Sequence, residues 1–493
     1  MQVVVLAGLI ASLAFLTEPL TELLRPPGDL TPVALLGYCL GAAVLTGANA
    51  LAARRVLRRW GRMPQRALRR YGFVAACMHL WLIGGSVGVL TAGYGQWLLH
   101  IAWMRDVPLL RKLAAAGPFL VALIAVWAAS YPFYRAFRRQ GVSGAARVWS
   151  LREYLAYNIR HHLLFILVPV ALILAGQDAL ELYARPNLPG ARWADGVTFA
   201  AAVGWAGVVF YVSPVLLVRV WRTRPLGNSP VREALRAMSV RLGLRFRDVR
   251  EWLSAGAVAN AGVMGLTRHV RYVLLSDGLL DNMDSDEIKA IFAHEAGHIR
   301  EHHIFYSVVF AISSLVLCSL AGPYLGWLLG ATDVGAVLLT LALVVAVFAV
   351  GFGWVSRRFE RQCDVTAAWA VGREYAAGGA SSEGPPLGEP PLTEGVTAGD
   401  GIETAPAPDD PQRITPSGAA IFARALQHVA RLNGMPTRRR NWRHGSIAAR
   451  VSYILWLSTR GGTCREINRV VRHIKLGIWA LAAGAAALTI VLW

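Results

Sequence analysis

The chain has 493 residues, of which 55% are hydrophobic and only 16% are charged. This composition excludes an ordinary water-soluble enzyme, because soluble domains carry about 25% charged residues. The formal net charge of +20 would suit a nucleic-acid partner, but the arginines lie in short blocks between charge-free stretches, where they act as membrane-topology signals. We therefore expect a membrane protein with no nucleic-acid partner. The five cysteines include no CxxC pair, so they predict neither a disulfide framework nor a cysteine-based zinc site.

The apolar stretches, taken in chain order, predict the membrane spans. A spanning helix needs about 20 largely apolar residues, because the bilayer core offers its backbone no hydrogen-bonding partners. Nine segments approach that length: 1–17, 30–53, 71–104, 113–134, 163–177, 196–218, 304–332, 334–356 and 476–493. The first lacks a basic start and a cleavage site, so we expect a retained span. The fifth is short and contains Pro169, which leaves a re-entrant or interfacial segment as an alternative.

Arginine clusters predict the orientation of these spans. The loop 54–70 carries eight arginines and no acidic residue, and arginines also fill the loop after the fourth span. Such loops stay in the cytoplasm. By parity, residues 219–303 and 357–475 also face the cytoplasm, on either side of a two-span hairpin. We expect an integral protein of the bacterial inner (plasma) membrane with its site on the cytoplasmic side.

The first cytoplasmic segment predicts both helices and strands. Ser229 followed by proline predicts a helix that ends near Arg241. FRDVREWLS, AVANAGVMG and RYVLLSDG predict three short strands bounded by glycines. Asp284 and Glu287 have the spacing of a capping box, so DSDEIKAIFAHEAGHIREHH is expected to form one helix from about residue 285 that runs directly into the seventh span.

The second cytoplasmic segment contains a low-complexity insertion. Residues 378–417 are rich in Gly, Pro, Ser, Thr and acidic residues, which cannot bury enough apolar surface to order the chain, so disorder is expected. Beyond them, AAIFARALQHVARL and SIAARVSYILWL predict amphipathic helices. The expected order is a membrane domain with about six spans, the HExxH part, a hairpin, a Glu-ligand helix, the insertion, C-terminal helices and a last span: 1–221, 222–303, 304–356, 357–377, 378–417, 418–472 and 473–493.

One short motif carries the chemistry. His294-Glu295-Ala296-Gly297-His298 reads HExxH. Two histidines four residues apart share one face of a helix and can bind one zinc ion, while Glu295 can take a proton from the attacking water as general base. Catalytic zinc also needs a third protein ligand and an open fourth position.

The third ligand distinguishes the classes of HExxH protein. A metzincin would have glycine at 301 and histidine at 304, but these positions hold Glu301 and Ile304, which excludes that class. SRRFERQCDVTAAWA instead supplies Glu360 as a ligand, and Asp364, four residues on, can orient a ligand histidine. The alternative is that these residues form only a charged helix face with i,i+4 pairs. For His302 and His303 we favour a supporting role over zinc ligation, because the ligand face of the helix is already used.

The motifs in combination resemble a known family. VLLSDGLLDNMDSDEIKAIFAHEAGHIREHH, a membrane hairpin and SRRFERQCD follow one another, as in the integral-membrane gluzincin peptidases, the family of the CAAX prenyl endopeptidase and the HtpX-type heat-shock protease. The resemblance covers roughly residues 228–371 and 417–460. It implies a multi-span helical membrane protein with a cytoplasmic α+β metallopeptidase domain, in which a small sheet accompanies the HExxH helix and the Glu-ligand helix.

The resemblance also implies roles for single residues. Glu360 would be the third ligand of one zinc ion, and Asn260 and Ala261 match the edge strand that binds substrate. His444 and Arg450 match a late histidine and arginine that lie near the active site and support the oxyanion.

The chain also departs from the family pattern. Gly445 stands where a proline is common, Cys363 replaces a usual alanine, and the acidic insertion splits the domain. The first six spans have no counterpart in this resemblance, which leaves the identity of the substrate open.

The expected function is zinc-dependent hydrolysis of peptide bonds in membrane or membrane-associated proteins, with quality control of membrane proteins as the expected role. The expected partners are a polypeptide substrate and the lipid bilayer. Two alternatives remain. One is a regulatory sensor peptidase of the BlaR/MecR type, whose ligand helix resembles ERQCD. The other is a membrane scaffold or transporter that holds zinc without catalysis.

Overall fold

The computed structural model describes residues 5, 8–9, 30–59, 64–105, 107–139, 148–256, 258–377 and 410–492. The chain divides into two compact units, Met1–Thr223 and Arg224–Trp493. We describe each unit by itself.

The first unit is mainly helical in its described residues. Its α-helices are α1 (Thr31–Arg59), α2 (Pro64–Val89), α3 (Gly95–His100), α4 (Ala102–Arg105), α5 (Pro108–Ala115), α6 (Gly117–Arg139), α7 (Leu151–Asn158), α8 (Phe165–Ala179) and α9 (Ala191–Val220). Wider π-helical turns join some of them, at Leu90–Tyr94, Ile159–Leu164 and Leu180–Ala184, and a short 3₁₀ turn follows at Arg185–Asn187. Phe119, Leu123 and Trp127 of α6 pack with Met78 and Leu82 of α2 in the core.

Among the described residues, eight helical segments are long and apolar enough to cross a membrane. They are Thr31–Arg55, Gly72–His100, Gly117–Arg135, Leu151–Asn187, Trp193–Val220, His303–Leu328, Gly335–Ala376 and Cys464–Val491. The predicted multi-span character is therefore confirmed. The first predicted span, 1–17, lies almost wholly outside the described residues. The weak fifth segment, 163–177, is the middle of a longer helical run from Leu151 to Asn187, because the flanking π-helical turns continue the helix on both sides.

The second unit combines a small sheet with long helices. Its elements are strands β1 (Thr223–Pro225), β2 (Asp248–Trp252), β3 (Ala261–Met264) and β4 (Tyr272–Ser276), and helices α10 (Pro230–Arg241), α11 (Asp277–Leu280), α12 (Ser285–Arg300), α13 (His303–Leu328), α14 (Asp333–Ala346), α15 (Gly353–Ala377), α16 (Pro416–Leu432), α17 (Ile447–Thr459) and α18 (Cys464–Leu492). The three predicted strands are thus present as β2, β3 and β4.

The strand order of the sheet is β1-β2-β4-β3. Strand β2 runs parallel to β4, with Asp248 opposite Tyr272, and β3 runs antiparallel to β4, with Ala261 opposite Leu275. Every residue of β4 is buried, which fits its unbroken apolar run at the centre of the sheet. Strand β3 lies at the edge of the sheet.

Capping residues set the starts of two helices as the sequence predicts. The Ser229 side chain accepts a hydrogen bond from Arg232 N at the start of α10. Asp284 and Glu287 form a reciprocal capping box at the start of α12. Each cap satisfies backbone N–H groups that have no partner within the helix.

The predicted direct run of α12 into the seventh span is wrong. Helix α12 ends at Arg300, and α13 begins at His303. Between them His302 has the left-handed conformation, with φ 57° and ψ 33°, which interrupts the helical path and re-aims the chain. Glu301 beside it accepts a hydrogen bond from Lys475 Nζ of α18 at 3.0 Å.

The predicted boundaries at 356/357 and at 472/473 fall inside continuous helices. A π-helical turn at Val347–Phe352 joins α14 to α15. The second span of the membrane hairpin and the predicted Glu-ligand helix therefore form one continuous helical run. Helix α18 likewise crosses residue 473 without a break. Residues 378–409 of the predicted disordered insertion lie outside the described residues. For residues 410–417 the prediction of disorder is wrong, because Thr415 caps α16, which begins at Pro416, and this helix packs in the core.

Candidate active site

The HExxH motif lies in the last two turns of α12. His294 is buried, with 8% of its surface exposed, and Glu295 and His298 are partly exposed. The helix is held from its first turn, where the Glu287 carboxylate contacts His428 Nδ1 of α16 at 2.8 Å. The motif therefore lies on a rigid helix, one side of which faces the interior of the unit.

Helix α15 supplies the carboxylates, and it packs tightly against α12. A Cβ atom added at Gly297 would lie 3.1 Å from Cys363 Sγ and 3.2 Å from Cys363 Cα. Glycine at position 297 therefore permits the close approach of the two helices. This approach brings Glu360, which is 6% exposed, next to the two histidines.

The three expected zinc ligands converge. Glu360 Oε2 lies 3.5 Å from His294 Nε2, and Glu360 Oε1 lies 3.6 Å from His298 Nε2. One ligand atom from each of the three side chains lies within 4.8 Å of the others. Two imidazole nitrogens and a carboxylate oxygen are the donor set of catalytic zinc sites with one open position, so the residues present fit a zinc ion.

The protonation behaviour of these groups fits metal binding. Burial lowers the pKa of His298 to about 4, so its imidazole is neutral at pH 7. Burial also acts to lower the pKa of His294, but the facing carboxylates of Asp364 and Glu360 outweigh it and raise that pKa to about 10. A cation bound there would take the place of the His294 proton. Burial raises the pKa of Glu295 to about 7, a value suited to a general base.

Asp364 lies beneath His294 and is itself held by arginine. Asp364 Oδ1 lies 3.0 Å from His294 Nδ1. Arg450 of α17 donates to both oxygens of Asp364, from Nε at 2.8 Å and from Nη2 at 2.5 Å. Arg450 Nη1 also lies 3.4 Å from Glu360 Oε2. The arginine therefore balances two nearly buried carboxylates, which are costly to bury without such a partner.

His444 reaches the site from the loop before α17. Its Nδ1 lies 2.8 Å from Glu360 Oε1, and 42% of its side chain is exposed. Asn441 and Gly445 exchange two backbone hydrogen bonds of 2.9 Å, which close the turn that presents His444. Gly445 has φ 74°, which the proline ring forbids. The departure from the family's proline at this position therefore has a conformational reason.

His303 contacts the second motif histidine from the far side. Its Nδ1 lies 3.1 Å from His298 Nδ1 and 3.5 Å from Cys363 Sγ. These three side chains form a second group close enough to hold a metal ion. All five cysteines are free, and Cys363 belongs to this group although the sequence indicated no cysteine-based zinc site.

The expected substrate-binding residues lie at the sheet edge. Asn260 is exposed and immediately precedes β3, which begins at the buried Ala261. Asn260 and Ser276 share two hydrogen bonds, and Asn433 of the α16 end donates to Ala259 O at 2.7 Å. These contacts fix the start of the edge strand.

Sequence reasoning missed Gln362, Asn433 and Asn468. Each is a neutral amide whose partner comes from an element far along the chain: Gln362 donates to Asn468 Oδ1 across 106 positions. No spacing rule connects residues that only the tertiary fold brings together. The polar, helix-interior position of Gln362 beside Glu360 was the one available signal.

Comparisons with known proteins show which proteins this chain is similar to. Residues 225–383 match the family described as Peptidase family M48. A protein named protease HtpX from Pseudomonas aeruginosa is 23% identical over 235 residues, which cover 43% of this chain and 78% of that protein. Protease HtpX from Xylella fastidiosa is 31% identical over 130 residues, covering 24% of this chain and 45% of that protein.

Among solved structures, the crystal structure of Ste24p from S. mikatae is similar to this chain, with a TM-score of 0.49 and 11% sequence identity. The structural match covers 87% of this chain and 100% of the Ste24p chain. The M48 match and the HtpX relatives confirm the resemblance that the motifs indicated: residues 225–383 of this membrane protein are similar to the M48 peptidase family.

Proposed function

We propose that this protein is a membrane-embedded zinc metalloendopeptidase that hydrolyses peptide bonds of membrane or membrane-associated proteins at the cytoplasmic face. The observation that carries the proposal is the convergence of His294, His298 and Glu360 to within 4.8 Å, beside a glutamate in the general-base position of HExxH. Catalytic metal, a base and a buried carboxylate partner are the parts that hydrolysis of an amide needs.

Each side chain has a role in this proposal. His294, His298 and Glu360 would hold one zinc ion, which when bound would supply a Lewis acid at the scissile carbonyl. Glu295 takes a proton from the attacking water and returns it to the leaving amine. Asp364 orients His294 from its Nδ1 side, at 3.0 Å.

His444 and Arg450 complete the site. His444 is half-exposed beside Glu360, so its ring can also face the oxyanion that forms on the substrate. Arg450 donates to both oxygens of Asp364. We propose that its positive charge supports the oxyanion, while its hydrogen bonds hold Asp364 in place.

The substrate would bind in extended form along β3. This strand lies at the sheet edge, and Asn260 and Ala261 stand at its start. Addition of a peptide to such an edge supplies backbone hydrogen bonds that do not depend on sequence. That property suits an enzyme acting on unfolded segments of membrane proteins, and we propose quality control as its role.

Orientation follows from the arginine loops. The eight arginines of loop 54–70 favour the cytoplasm for that loop and, by parity, for the HExxH segment. A bacterial inner membrane is the proposed location. Cysteine labelling of single-cysteine variants in sealed vesicles would test the side on which the site lies.

The direct test uses purified protein in detergent and an unfolded membrane protein as substrate. We expect cleavage that stops with a zinc chelator and returns with added zinc. Glu295→Gln should keep zinc, lose cleavage by about 10²–10⁴-fold, and trap substrates when expressed in native membranes. Retained cleavage in Glu295→Gln would contradict the role of the base. Zinc without any cleavage in the wild type would favour the non-catalytic scaffold.

A further inference from the structure

The break between α12 and α13 has a geometric consequence for the zinc site. In an uninterrupted α-helix, residues five apart point about 140° away from each other, so His298 and His303 could not face one another. The left-handed His302 turns the chain so that the His303 ring lies 3.1 Å from His298 Nδ1. Such conformations are costly for residues other than glycine and often occur at functional sites.

His303 is fixed in this position by its surroundings. Only 2% of its surface is exposed, and its ring stacks on Phe359 with 4.0 Å between centroids and 6° between planes. Its Nε2 lies 2.9 Å from Gln362 Oε1. Gln362, which is 1% exposed, in turn donates from Nε2 to Asn468 Oδ1 at 2.7 Å.

The orientation of the Gln362 amide sets the direction of these hydrogen bonds. Gln362 donates through its NH₂ group to Asn468, so its Oε1 faces His303 and must accept from His303 Nε2–H. A neutral His303 with its proton on Nε2 has an acceptor at Nδ1. His298 can then donate from Nδ1–H, which leaves His298 Nε2, the atom 3.6 Å from Glu360 Oε1, as the unprotonated nitrogen.

We propose that His303 is a positioning residue for the zinc ligand His298. It accepts a hydrogen bond from His298 Nδ1–H, fixes the tautomer that presents Nε2 to the metal, and is itself fixed through Gln362 by Asn468. This inference rests on the proposed zinc site. Ligand histidines in metal sites are commonly held in this way by a hydrogen bond from their other ring nitrogen.

The chain of hydrogen bonds ends on a membrane helix. Asn468 lies in the first turns of α18, the last candidate span. Lys475, two turns further along α18, donates to Glu301 at 3.0 Å, next to the left-handed His302. Two contacts from α18 therefore hold the break and the relay in place.

The same side chains could instead bind a metal ion directly, and this arrangement must be distinguished from the hydrogen-bond relay. His298, His303 and Cys363 also lie close enough to hold a metal ion themselves. In that arrangement Cys363 would be a ligand, whereas in the relay it contributes nothing to metal binding. Cys363→Ala separates the two uses.

The experiment measures zinc affinity by competition with a chromophoric chelator, in the purified full-length protein. His303→Phe keeps the ring shape and the stack on Phe359 but removes the acceptor, and we expect zinc to bind about 10- to 100-fold more weakly. His303→Gln restores an acceptor and should recover most of the affinity. Gln362→Met should weaken zinc binding in the same direction, and it serves as the test should His303→Phe not fold.

Two controls complete the design. His302→Asn changes the neighbouring histidine to a residue that tolerates the left-handed conformation, and Cys363→Ala removes the thiol; both should keep wild-type zinc affinity. His303→Phe leaves Gln362 Oε1 without its donor, so the metal-free variant should unfold at a lower temperature than the metal-free wild type, and His303→Gln should recover part of this loss.

The outcomes are distinguishable from those of the proposed function. Wild-type affinity in both His303→Phe and Gln362→Met would overturn the relay while leaving the zinc enzyme intact. A loss of affinity in Cys363→Ala as large as that in His303→Phe would overturn it in favour of a thiolate ligand. A wild-type protein that binds no zinc would overturn both proposals.

Discussion

Arg450 is the residue on which the charges of the site depend. It donates to both oxygens of Asp364 and lies 3.4 Å from Glu360, and only 15% of its side chain is exposed. Asp364 is 1% exposed. Removing one member of such a pair leaves the other charge buried without a partner.

We therefore predict that Arg450→Leu destabilises the protein by about 3–5 kcal/mol and lowers zinc retention, because Asp364 would take up a proton and no longer orient His294. Thermal unfolding and zinc content of the purified protein measure the two effects. Arg439→Leu removes an exposed arginine of the same segment and should change neither. Unaltered stability in Arg450→Leu would show that the pair carries little energy.

Gly445 gives a second prediction at this scale. Its φ of 74° and its hydrogen bond to Asn441 O are both lost with proline, so Gly445→Pro should displace His444 and lower peptidase activity by roughly 100-fold. Gly445→Asn, which tolerates positive φ, should remain close to the wild type. Zinc content reports whether the ligands stay in place. Equal activities of the two variants would count against the role of the turn.

Single residues were predictable where a local rule connects them. The i,i+4 spacing predicted that His294 and His298 share one helix face, and that Glu360 and Asp364 share another. The contact between His303 and His298 depends on one left-handed residue, and no sequence pattern indicated that His302 would adopt it. The partners of Asp364 and Gln362 come from α17 and α18, which no local rule connects to α15.

At the scale of elements, capping residues in the sequence predicted where helices start. No sequence pattern predicted how closely the helices pack. Ser229 and Asp284 cap the helices that the sequence predicted. The close contact of α15 with α16 was not predictable. A Cβ atom at Gly418 would lie 2.1 Å from Ala368 O and 2.8 Å from Gly372 Cα. Two glycines thus permit these backbones to touch.

Gly418→Ala should force α15 and α16 apart and destabilise the protein by about 1–3 kcal/mol. The measurement is the midpoint of thermal unfolding in detergent. Gly477→Ala is the matched control, because nothing lies within 4 Å of a Cβ atom built at Gly477 in α18. Equal midpoints for Gly418→Ala and the wild type would show that the helices can separate at little cost.

Strand β3 gives a prediction for substrates. If a peptide pairs with this sheet edge, its backbone N–H groups are needed on the paired side, at every second residue. N-methylation of a cleaved peptide at alternate positions should raise KM when the methyl groups fall on the paired side and leave it unchanged in the other register. A peptide cleaved equally well in both registers would contradict strand addition.

For the whole molecule, apolar length predicted the spans better than it predicted their ends. Eight candidate spans correspond in order to eight of the nine predicted segments. The reason is that backbone N–H and C=O groups in a bilayer must hydrogen-bond to each other, which allows few alternatives to a helix. The ends differ, since α15 and α18 each run without a break between a membrane segment and the polar part of the second unit. Charge and hydropathy change at such junctions, but neither shows that the helix continues across them.

X-ray absorption at the zinc edge of the purified protein tests the central claim most directly. Coordination by His294, His298 and Glu360 predicts one zinc per chain, with a first shell of only nitrogen and oxygen atoms at about 2.0–2.2 Å, and loss of stoichiometric zinc in Glu360→Ala. Absence of zinc from the wild-type protein, or a sulfur neighbour at about 2.3 Å, would contradict it.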